Sequence, residues 1–412
     1  MRAKTIVVLG GGVGGMVAAN ELSRLAPGNR VVLVERNEQH AFAPSFLWIM
    51  TGDRRPAQIQ RPLRSLVRPS VDIVHAEVTG VDLDARHVTT DAEALTYDYL
   101  VVALGAELAT DAIPGLDEGA HTFYSLDGAV ALRDALANFD GRSVAVVVAG
   151  LPYKCPGAPL EGAMLIRDIL GRRRSRENID IGLYTPEPAP MALAGVELSD
   201  MVVSMLAQRD ISYHPGCHLT AVDPDARELQ FDGKPSAQYD LLVTIPPHRP
   251  PGLLRDSGLA GDSGWAPVDR ETLETDHENV YALGDAAAVA IPGRWNPEVG
   301  LSLPKAGVFA HGQAEVIARR IAADIAGARP TATYGGVGYC MLEAGGGVAG
   351  FAHGDFYAEP SPDVRLRPMG RHWHLGKELF ERWWLTPFGI RKSLLGLAMR
   401  AGARTLGVPD LL

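Results

Sequence analysis

Short runs of β-branched and other apolar residues alternate along the chain with segments of helical period. The first run, residues 5–9, precedes a segment with helical spacing from Val13, and a second apolar run ends at Glu35. Further runs lie at 99–106 and 144–149. All of them fall well short of the roughly 20 residues that a membrane-spanning helix needs. The pattern predicts an α/β protein built from strand–helix–strand units, without a transmembrane helix.

Length and composition narrow the class of protein. A chain of 412 residues, 46% of them hydrophobic, can form two or three domains with sizeable cores. A strand follows Met1 almost at once and leaves no room for an ordinary signal peptide, so the cytoplasmic face of a membrane is favoured over the periplasmic face. The three cysteines, Cys155, Cys217 and Cys340, are too few for a disulfide scaffold and match no zinc-binding spacing. Cysteine chemistry here is expected to be redox or nucleophilic, with no metal and no nucleic-acid partner.

A dinucleotide-binding fingerprint opens the chain. Gly10, Gly12 and Gly15 separate the first strand from the first helix, and Glu35 ends the second strand. These glycines permit a tight turn and close approach of the backbone to a pyrophosphate, while the helix N-terminus supplies favourable dipole charge. Glu35 would bind the adenosine ribose. The fingerprint does not separate NAD from FAD, and a glycine-rich turn without a ligand is the alternative.

Two later segments indicate FAD. In "HENVYALGDAAA", residues 277–288, a predicted strand ends at Gly284 and Asp285 and leads into a predicted small-residue helix. Two-domain flavoproteins hold the ribityl chain and pyrophosphate of FAD with such a segment, although a plain turn with a helix N-cap is the alternative. "YDYLVVALGAEL", residues 97–108 with Ala103 and Gly105, resembles the strand and turn that leave the FAD domain. The chain therefore resembles the paired dinucleotide-binding flavoproteins.

That resemblance implies a domain organisation. In these flavoproteins the FAD domain is split in sequence by a second Rossmann-like domain. We expect residues 1–110 and 251–330 to form the FAD-binding domain and residues 111–250 to form the second Rossmann-like domain. Residues 331–412 form a separate C-terminal region.

The second nucleotide site is degenerate. Its first strand runs into "AGLPYKCPGAP", where Pro152, Pro156 and Pro159 stand in place of glycines. Proline lacks an N–H and has a fixed φ, so it can neither donate to a phosphate nor make a left-handed turn. The strand "IDIGLY" ends without an acid at the ribose position. Binding of NADH is not expected. Cys155 stands there instead, next to Lys154 and before a predicted helix, and both neighbours would lower its pKa.

"PYKCPGAPLEG" resembles the active-site segment of sulfide:quinone oxidoreductases and of the flavoprotein subunit of flavocytochrome c sulfide dehydrogenases. The resemblance pairs Cys155 with Cys340, found in "TATYGGVGYCMLEAGGG", and makes Glu161 the glutamate that follows the first cysteine. "LSLPKAG" matches the segment whose lysine, here Lys305, approaches the flavin, and "FAPSFLWIMTG" matches a segment lining the flavin pocket. Two buried, inert thiols are the alternative for the cysteines, and Cys217 matches no family position. No cysteine precedes Cys155, so the FAD is expected to be non-covalent.

The resemblance also implies a mechanism. Sulfide attacks a Cys155–Cys340 disulfide and leaves a persulfide on one sulfur and a thiolate on the other. Two electrons then pass to FAD, and zero-valent sulfur leaves as polysulfide. Lys305 would stabilise negative charge on the flavin, and Glu161 would act as a base or proton relay. An exposed lysine and a solvated first-turn glutamate are the alternatives.

The C-terminal region concentrates positive charge on an amphipathic pattern. Residues 365–404 carry a net charge of +7, whereas the rest of the chain carries −17. Leu375, Leu379, Phe380, Trp383 and Trp384 fall near one helical face, and Ile390, Leu394, Leu397 and Ala398 repeat the pattern. A basic amphipathic helix with tryptophans suits peripheral attachment to a membrane surface and electron transfer to a quinone. The alternative for these apolar faces is a dimer interface or a cap on the flavin domain. The sequence does not decide whether the protein forms a homo-oligomer.

Three other functions are the alternatives to this one. A sulfide dehydrogenase passing electrons to a cytochrome would need export and a partner. A type-II NADH dehydrogenase would need the glycine loop that this chain lacks. A non-catalytic or sensory flavoprotein is the remaining alternative.

Overall fold

The computed structural model of the chain describes residues 2–173, 179–293 and 301–408. The elements of the first part are β1 (Thr5–Leu9), α1 (Val13–Leu25), β2 (Arg30–Val34), β3 (Gln39–Ala41), α2 (Phe46–Thr51), α3 (Pro56–Ile59), β4 (Gln60–Pro62), α4 (Leu63–Leu66), β5 (Val71–Val74), β6 (Val78–Asp82), β7 (His87–Thr90), β8 (Ala94–Thr96), β9 (Tyr99–Val102), β10 (Glu107–Leu108) and α5 (Leu116–Gly119).

The middle of the chain continues the alternation of strands and helices. Its elements are α6 (Leu126–Ala137), β11 (Ser143–Val148), α7 (Ala158–Arg173), β12 (Asp180–Tyr184), α8 (Val196–Ala207), β13 (Ile211–His214), β14 (Leu219–Asp223), β15 (Glu228–Phe231), β16 (Lys234–Gln238), β17 (Leu241–Ile245) and β18 (His248–Arg249). The last part contains α9 (Gly252–Asp256), β19 (Ala266–Pro267), β20 (Val280–Ala282), β21 (Ala287–Ala288), α10 (Gly307–Ile325), β22 (Val337–Glu343), β23 (Ala349–Asp355), β24 (Asp363–Gly370), α11 (Arg371–Trp384) and α12 (Ile390–Leu406).

The first sheet is parallel throughout and has the order β20-β9-β1-β2-β5. Its central strand, β1, is almost entirely buried; helix α1 packs on the sheet, and α10 packs against α1. Strand β20 lies far along the chain from β1 and yet completes the same sheet, next to β9. The turns after β1, β9 and β20 consequently meet at one edge.

The second sheet is also parallel, with the order β13-β12-β11-β17. The valines of β11 are buried, and α7 packs on this sheet. Two parallel sheets with covering helices confirm the predicted α/β fold of two Rossmann-like units. One local expectation was wrong, because Gly284–Ala286 forms a single 3₁₀ turn that runs into β21 instead of a helix.

The C-terminal region adds an antiparallel sheet, β22-β23-β24, followed by α11 and α12. The prediction of one apolar stripe facing outward is wrong for α11. Trp384 is buried against Phe42 and Phe380, whereas Leu375 is 59% exposed. Helix α11 is therefore packed onto the rest of the protein, as in the alternative of a cap on the flavin domain. Within residues 2–173, 179–293 and 301–408, the structure contains no helix with the length and hydropathy needed to cross a bilayer.

Candidate active site

One cavity of about 470 Å³ reaches both the glycine-rich turn after β1 and the two cysteines. Gly12 lines it at the start of α1, Gly105 lines it after β9, and Gly284 lines it after β20. These turns follow the carboxyl ends of neighbouring parallel strands, where open α/β sheets bind their ligands. Cys155 and Cys340 line the same cavity. The topology of the sheet thus brings together residues that lie far apart in sequence.

The turn after β1 has the close packing that a dinucleotide site requires. A Cβ atom on Gly15 would lie 1.8 Å from the carbonyl oxygen of Gly10, and one on Gly10 would lie 2.5 Å from that of Ala103. A Cβ on Gly12 would meet no atom within 4 Å, so the backbone there is open to a pyrophosphate. Glu35 accepts hydrogen bonds from the backbone N–H of Gly11 (2.6 Å) and of residue 37 (2.8 Å). A dinucleotide fits this cradle, and ribose binding by Glu35 stays a prediction.

The proline turn places Cys155 in a constrained backbone. Cys155 has φ +58°, a conformation that non-glycine residues adopt rarely. Its N–H donates to the carbonyl oxygen of Lys305 (2.6 Å), and its carbonyl oxygen accepts from the N–H of Ala158 (2.9 Å). These bonds fix the turn between the two sheets. The thiol therefore has a defined position at the start of α7.

The two cysteines line the same cavity and act on each other's ionisation. Cys340 lies on β22, and both residues are present as free thiols. Interaction with the Cys340 thiol lowers the pKa of Cys155; burial and Glu161 oppose that effect, while Lys377 and the N–H of Ala158 reinforce it. Interaction with Cys155, burial and neighbouring negative charge raise the pKa of Cys340. Cys155 is the thiol that ionises first, as the sequence predicted. Its basic neighbour is Lys377, however, and not Lys154.

A cluster of buried charges stands behind the thiols. Glu161 is only 2% exposed, so the alternative of a solvated glutamate is wrong. Its carboxylate binds Nζ of Lys377 (2.6 Å) and accepts from the backbone N–H of Glu343 (2.9 Å). The Glu343 carboxylate in turn lies 2.9 Å from Nδ1 of His374. Burial raises the pKa of Glu343.

Sequence reasoning missed Lys377, Glu343 and His374. In the sequence, Lys377 stands out only as one of the positive charges of the C-terminal region. It lies four residues after Trp373 and seven before Trp384, and both tryptophans are buried. A lysine at a core-facing position of a helix was the signal that could have identified it.

Helix α11 is fastened beside the cavity by further polar contacts. Nε1 of Trp384 donates to Nε2 of His40 (2.9 Å), whose other ring nitrogen lies 3.3 Å from the carbonyl oxygen of Gly11. Ser45 donates to Glu381 (2.6 Å), which also pairs with Arg54. Phe42, Phe380 and Trp384 line the cavity where α11 meets the segment before α2. The C-terminal region is therefore part of the site.

Lys305 lies beside the turn after β20, where its amine contacts the backbone and a tryptophan ring. Its Nζ donates to the carbonyl oxygens of Asp285 (2.6 Å) and Ala287 (3.4 Å) and lies 3.4 Å from the centre of the Trp265 ring. Burial lowers its pKa to about 8. Asp285 lines the cavity, and burial raises the pKa of its carboxyl. A role for Lys305 toward a flavin stays a prediction.

The turn after β11 differs in sequence from the cofactor turn after β1. A Cβ on Gly150 would lie 2.9 Å from the side chain of Pro247, a close contact like that of Gly10, but a proline turn with Cys155 follows where the first turn has Gly12. Thr185 is buried at the end of β12. Glu187, two residues further, accepts from the hydroxyl of Tyr153 (2.7 Å), and burial raises the pKa of its carboxyl. These contacts and the prolines distinguish the turn after β11 from the glycine turn after β1, and the lack of NADH binding stays a prediction.

Comparison with known proteins identifies the family. Residues 4–306 match the model of pyridine nucleotide-disulphide oxidoreductases. The chain belongs to that family. It is accordingly an oxidoreductase that uses FAD, which would be held by the turns after β1, β9 and β20.

Individual relatives are more specific. The chain is similar to the mitochondrial sulfide:quinone oxidoreductase of Mus musculus, with 27% identity covering 86% of this chain and 79% of the relative. It is 25% identical to the sulfide-quinone reductase of Aquifex aeolicus, covering 93% and 90% of the two chains. Among solved structures, the Aquifex aeolicus sulfide:quinone oxidoreductase superposes with a TM-score of 0.82 at 24% identity, covering 92% of this chain and 90% of that one. The NDH2 of Plasmodium falciparum has a lower TM-score of 0.71 at 14% identity, covering 99% of this chain and 100% of that one.

Proposed function

We propose that the protein oxidises sulfide with Cys155 and Cys340 as its redox pair and passes the electrons through FAD to a quinone. The observation that carries the proposal is that Cys155 and Cys340 line one cavity together with the three cofactor turns. The named sulfide:quinone oxidoreductases among the relatives support it. The proline turn after β11, which carries Cys155 in place of a glycine loop, argues against NADH as the electron donor.

The chain's own residues would divide the work. The low-pKa Cys155 supplies the thiolate, which is the reactive form in thiol–disulfide exchange. Bound FAD would supply a two-electron acceptor for the thiol pair and a donor for the oxidant. Asp285 and the glycine turns would position it, and the largely apolar wall would exclude water from the sulfur chemistry.

A quinone suits the aromatic side of the cavity. Phe42 and Phe380 have ring centroids 6.0 Å apart, and both line the cavity together with Trp384. Flat apolar rings bind preferentially to such aromatic surfaces. We infer that the oxidant enters between α11 and the segment before α2.

Helix α12 supplies the surface for a membrane. Ile390, Leu394 and Leu397 are 82%, 62% and 66% exposed and share one face. Arg391 and Arg400 are exposed on the same helix. Apolar side chains flanked by arginines bind anionic bilayers by inserting below the headgroups. Peripheral attachment through α12 would bring the cavity near a lipid-soluble quinone.

Anaerobic mixing tests the function. The purified FAD protein is mixed separately with sulfide and with NADH while the flavin absorbance near ~450 nm is recorded, and a short-chain quinone is then added. We expect bleaching by sulfide, none by NADH, and recovery of the colour with quinone. Bleaching by NADH alone would refute the proposal.

Vesicle flotation tests attachment. Leu394→Glu/Leu397→Glu should abolish flotation with anionic vesicles, whereas Val196→Glu/Met201→Glu, on the exposed face of α8, should not. Point substitutions are used because a deletion from residue 376 would also remove Lys377 from the site. Flotation that survives the α12 substitutions would show that another surface binds lipid.

A further inference from the structure

A second basic segment of the chain lies outside the C-terminal region. Residues 54–68, which include α3, β4 and α4, contain five arginines and no acidic residue. This arginine segment carries a net charge of +5, and residues 365–404 carry +7. The rest of the chain must then carry −22 to give the net charge of −10. The two segments are therefore strongly basic parts of an acidic protein.

The fold places the arginine segment against the start of α12. The backbone N–H of Phe388 donates to the carbonyl oxygen of Ser65 (3.3 Å). The guanidinium of Arg68 lies 5.3 Å from the centre of the Phe388 ring, and Nζ of Lys392 lies at the same distance from it. Phe388 is 37% exposed, and Ile390, two residues further, is 82% exposed. The arginine segment and the exposed apolar face of α12 consequently meet at one corner of the surface.

Arg54 attaches the arginine segment to α11. Its guanidinium binds the carboxylates of Glu378 and Glu381, at 2.9 Å in each case. It also lies over the Trp48 ring, 4.7 Å from the centre. The charge of this first arginine is therefore balanced inside the protein, next to the helix that lines the cavity.

The charges of the other four arginines are not balanced in this way. Within residues 2–173, 179–293 and 301–408, no ion pair forms at Arg55, Arg61, Arg64 or Arg68. Arg61 donates to the carbonyl oxygen of residue 60 and Arg64 to that of residue 71, at 2.6 Å in each case. A carbonyl oxygen holds a guanidinium in place and leaves its positive charge intact. Arg55 and Arg64 are exposed, and Arg61 and Arg68 are half-buried.

A bilayer of anionic lipids offers both chemistries that this corner of the surface presents. Guanidinium groups bind phosphate oxygens through paired hydrogen bonds, and exposed apolar side chains of an interfacial helix insert below the headgroups. A soluble polyanion would satisfy the arginines but would leave Ile390 and Leu394 in water. Anionic lipid would also repel the acidic remainder of the chain, which favours one orientation of the protein.

We propose that Arg55, Arg61, Arg64 and Arg68 bind the phosphates of anionic lipids beside the face of α12 that inserts into the bilayer. This rests on the membrane attachment proposed above and adds a second contact from a distant part of the sequence. Two contacts fix the rotation of the protein on the bilayer, which a single helix leaves free. Because Arg54 joins the arginine segment to α11, this orientation keeps the gap between α11 and the segment before α2 close to the lipid that dissolves the quinone.

Vesicle flotation tests the arginines. Arg55→Gln/Arg61→Gln/Arg64→Gln should weaken binding to phosphatidylcholine vesicles that contain phosphatidylglycerol by about 10- to 100-fold at low salt, since each basic side chain near an anionic surface changes partition by about fivefold. The corresponding triple lysine variant should keep most of the binding, because it keeps the charges. Wild type and variants should bind equally to vesicles of phosphatidylcholine alone.

The matched control removes three arginines elsewhere on the surface that have acidic partners. It is Arg86→Gln/Arg227→Gln/Arg255→Gln, and these side chains are 40%, 61% and 79% exposed. The change in net charge is the same, so binding equal to that of the wild type is expected. Flavin content and thermal unfolding establish that each variant is folded. If the triple glutamine variant does not fold, Arg55→Glu, which changes one exposed side chain, carries the comparison.

The results separate this proposal from those on which it rests. If the triple glutamine variant floats as well as the control, the lipid contact is overturned and attachment through α12 still stands. If the wild type does not float, membrane attachment and this proposal are both refuted. Calorimetric binding of inorganic phosphate that the triple glutamine variant loses, with unchanged flotation, would assign the arginines to a soluble anion and overturn the lipid contact. Sulfide should reduce a short-chain quinone in solution equally in all variants, and failure of the wild type to do so would refute the proposed function alone.

Discussion

Replacement of Trp384 tests whether α11 belongs to the folded active site. Its side chain is 5% exposed, packs against Phe42 and Phe380, and donates to His40. Truncating a buried tryptophan to alanine costs about 3–5 kcal/mol. Trp384→Phe keeps a ring but leaves Nε2 of His40 without its donor, which costs about 1–3 kcal/mol. Trp383 is only half-buried, so Trp383→Ala should cost less than Trp384→Ala.

The free energy of unfolding is measured by urea denaturation of the FAD-loaded protein, followed by far-UV circular dichroism. We expect the order of destabilisation to be Trp384→Ala, then Trp384→Phe, with Trp383→Ala below the first. If Trp384→Ala costs less than about 1 kcal/mol, or no more than Trp383→Ala, then α11 is a detachable anchor and its contacts with the cavity are incidental.

Two further predictions concern stability and cofactor binding. Burial lowers the pKa of His40 to about 4, so as the pH falls below about 6.5 the unfolded chain takes up a proton before the folded one does. His40 should therefore contribute about 3 kcal/mol to the loss of stability between about pH 6.5 and pH 4, and His40→Gln should lose correspondingly less over that range. Urea midpoints measured against pH decide this, and equal falls would contradict it. Gly15→Ala should yield protein without flavin, because its Cβ would lie 1.8 Å from the carbonyl oxygen of Gly10. A Cβ on Gly335 would meet no atom within 4 Å, so the control variant Gly335→Ala should keep its flavin. The flavin content per protein is read from the absorbance spectrum, and full flavin content in Gly15→Ala would refute the steric argument.

The first sheet and its cofactor turns could be predicted because their signals are local. Gly10 and Gly15 make close contacts that side chains would prevent, Gly12 leaves its turn open, and the apolar runs match buried parallel strands. The prolines around Cys155 likewise argue against a phosphate-binding turn, because proline has no N–H to donate and its φ is fixed. Patterns of this kind depend on neighbours in sequence.

The surroundings of the thiols depend on tertiary packing and could not be predicted in the same way. Lys154, adjacent in sequence to Cys155, was expected to act on its thiol, but Lys377, more than 200 residues away, is the lysine that does. Helical spacing predicted one outward apolar face for the tail, yet α11 turns Trp384 inward and only α12 keeps an exposed face. Amphipathicity shows that a face is apolar and does not show what covers it.

The most direct test of the central claim is the rate at which sulfide reduces FAD in single cysteine variants, measured by anaerobic rapid mixing. Cys217, a buried cysteine that does not line the cavity, supplies the matched control. The account predicts that Cys217→Ser reacts at the wild-type rate and that Cys155→Ser and Cys340→Ser are each slower by at least about 100-fold. Reduction at the wild-type rate in either of the last two variants would contradict it.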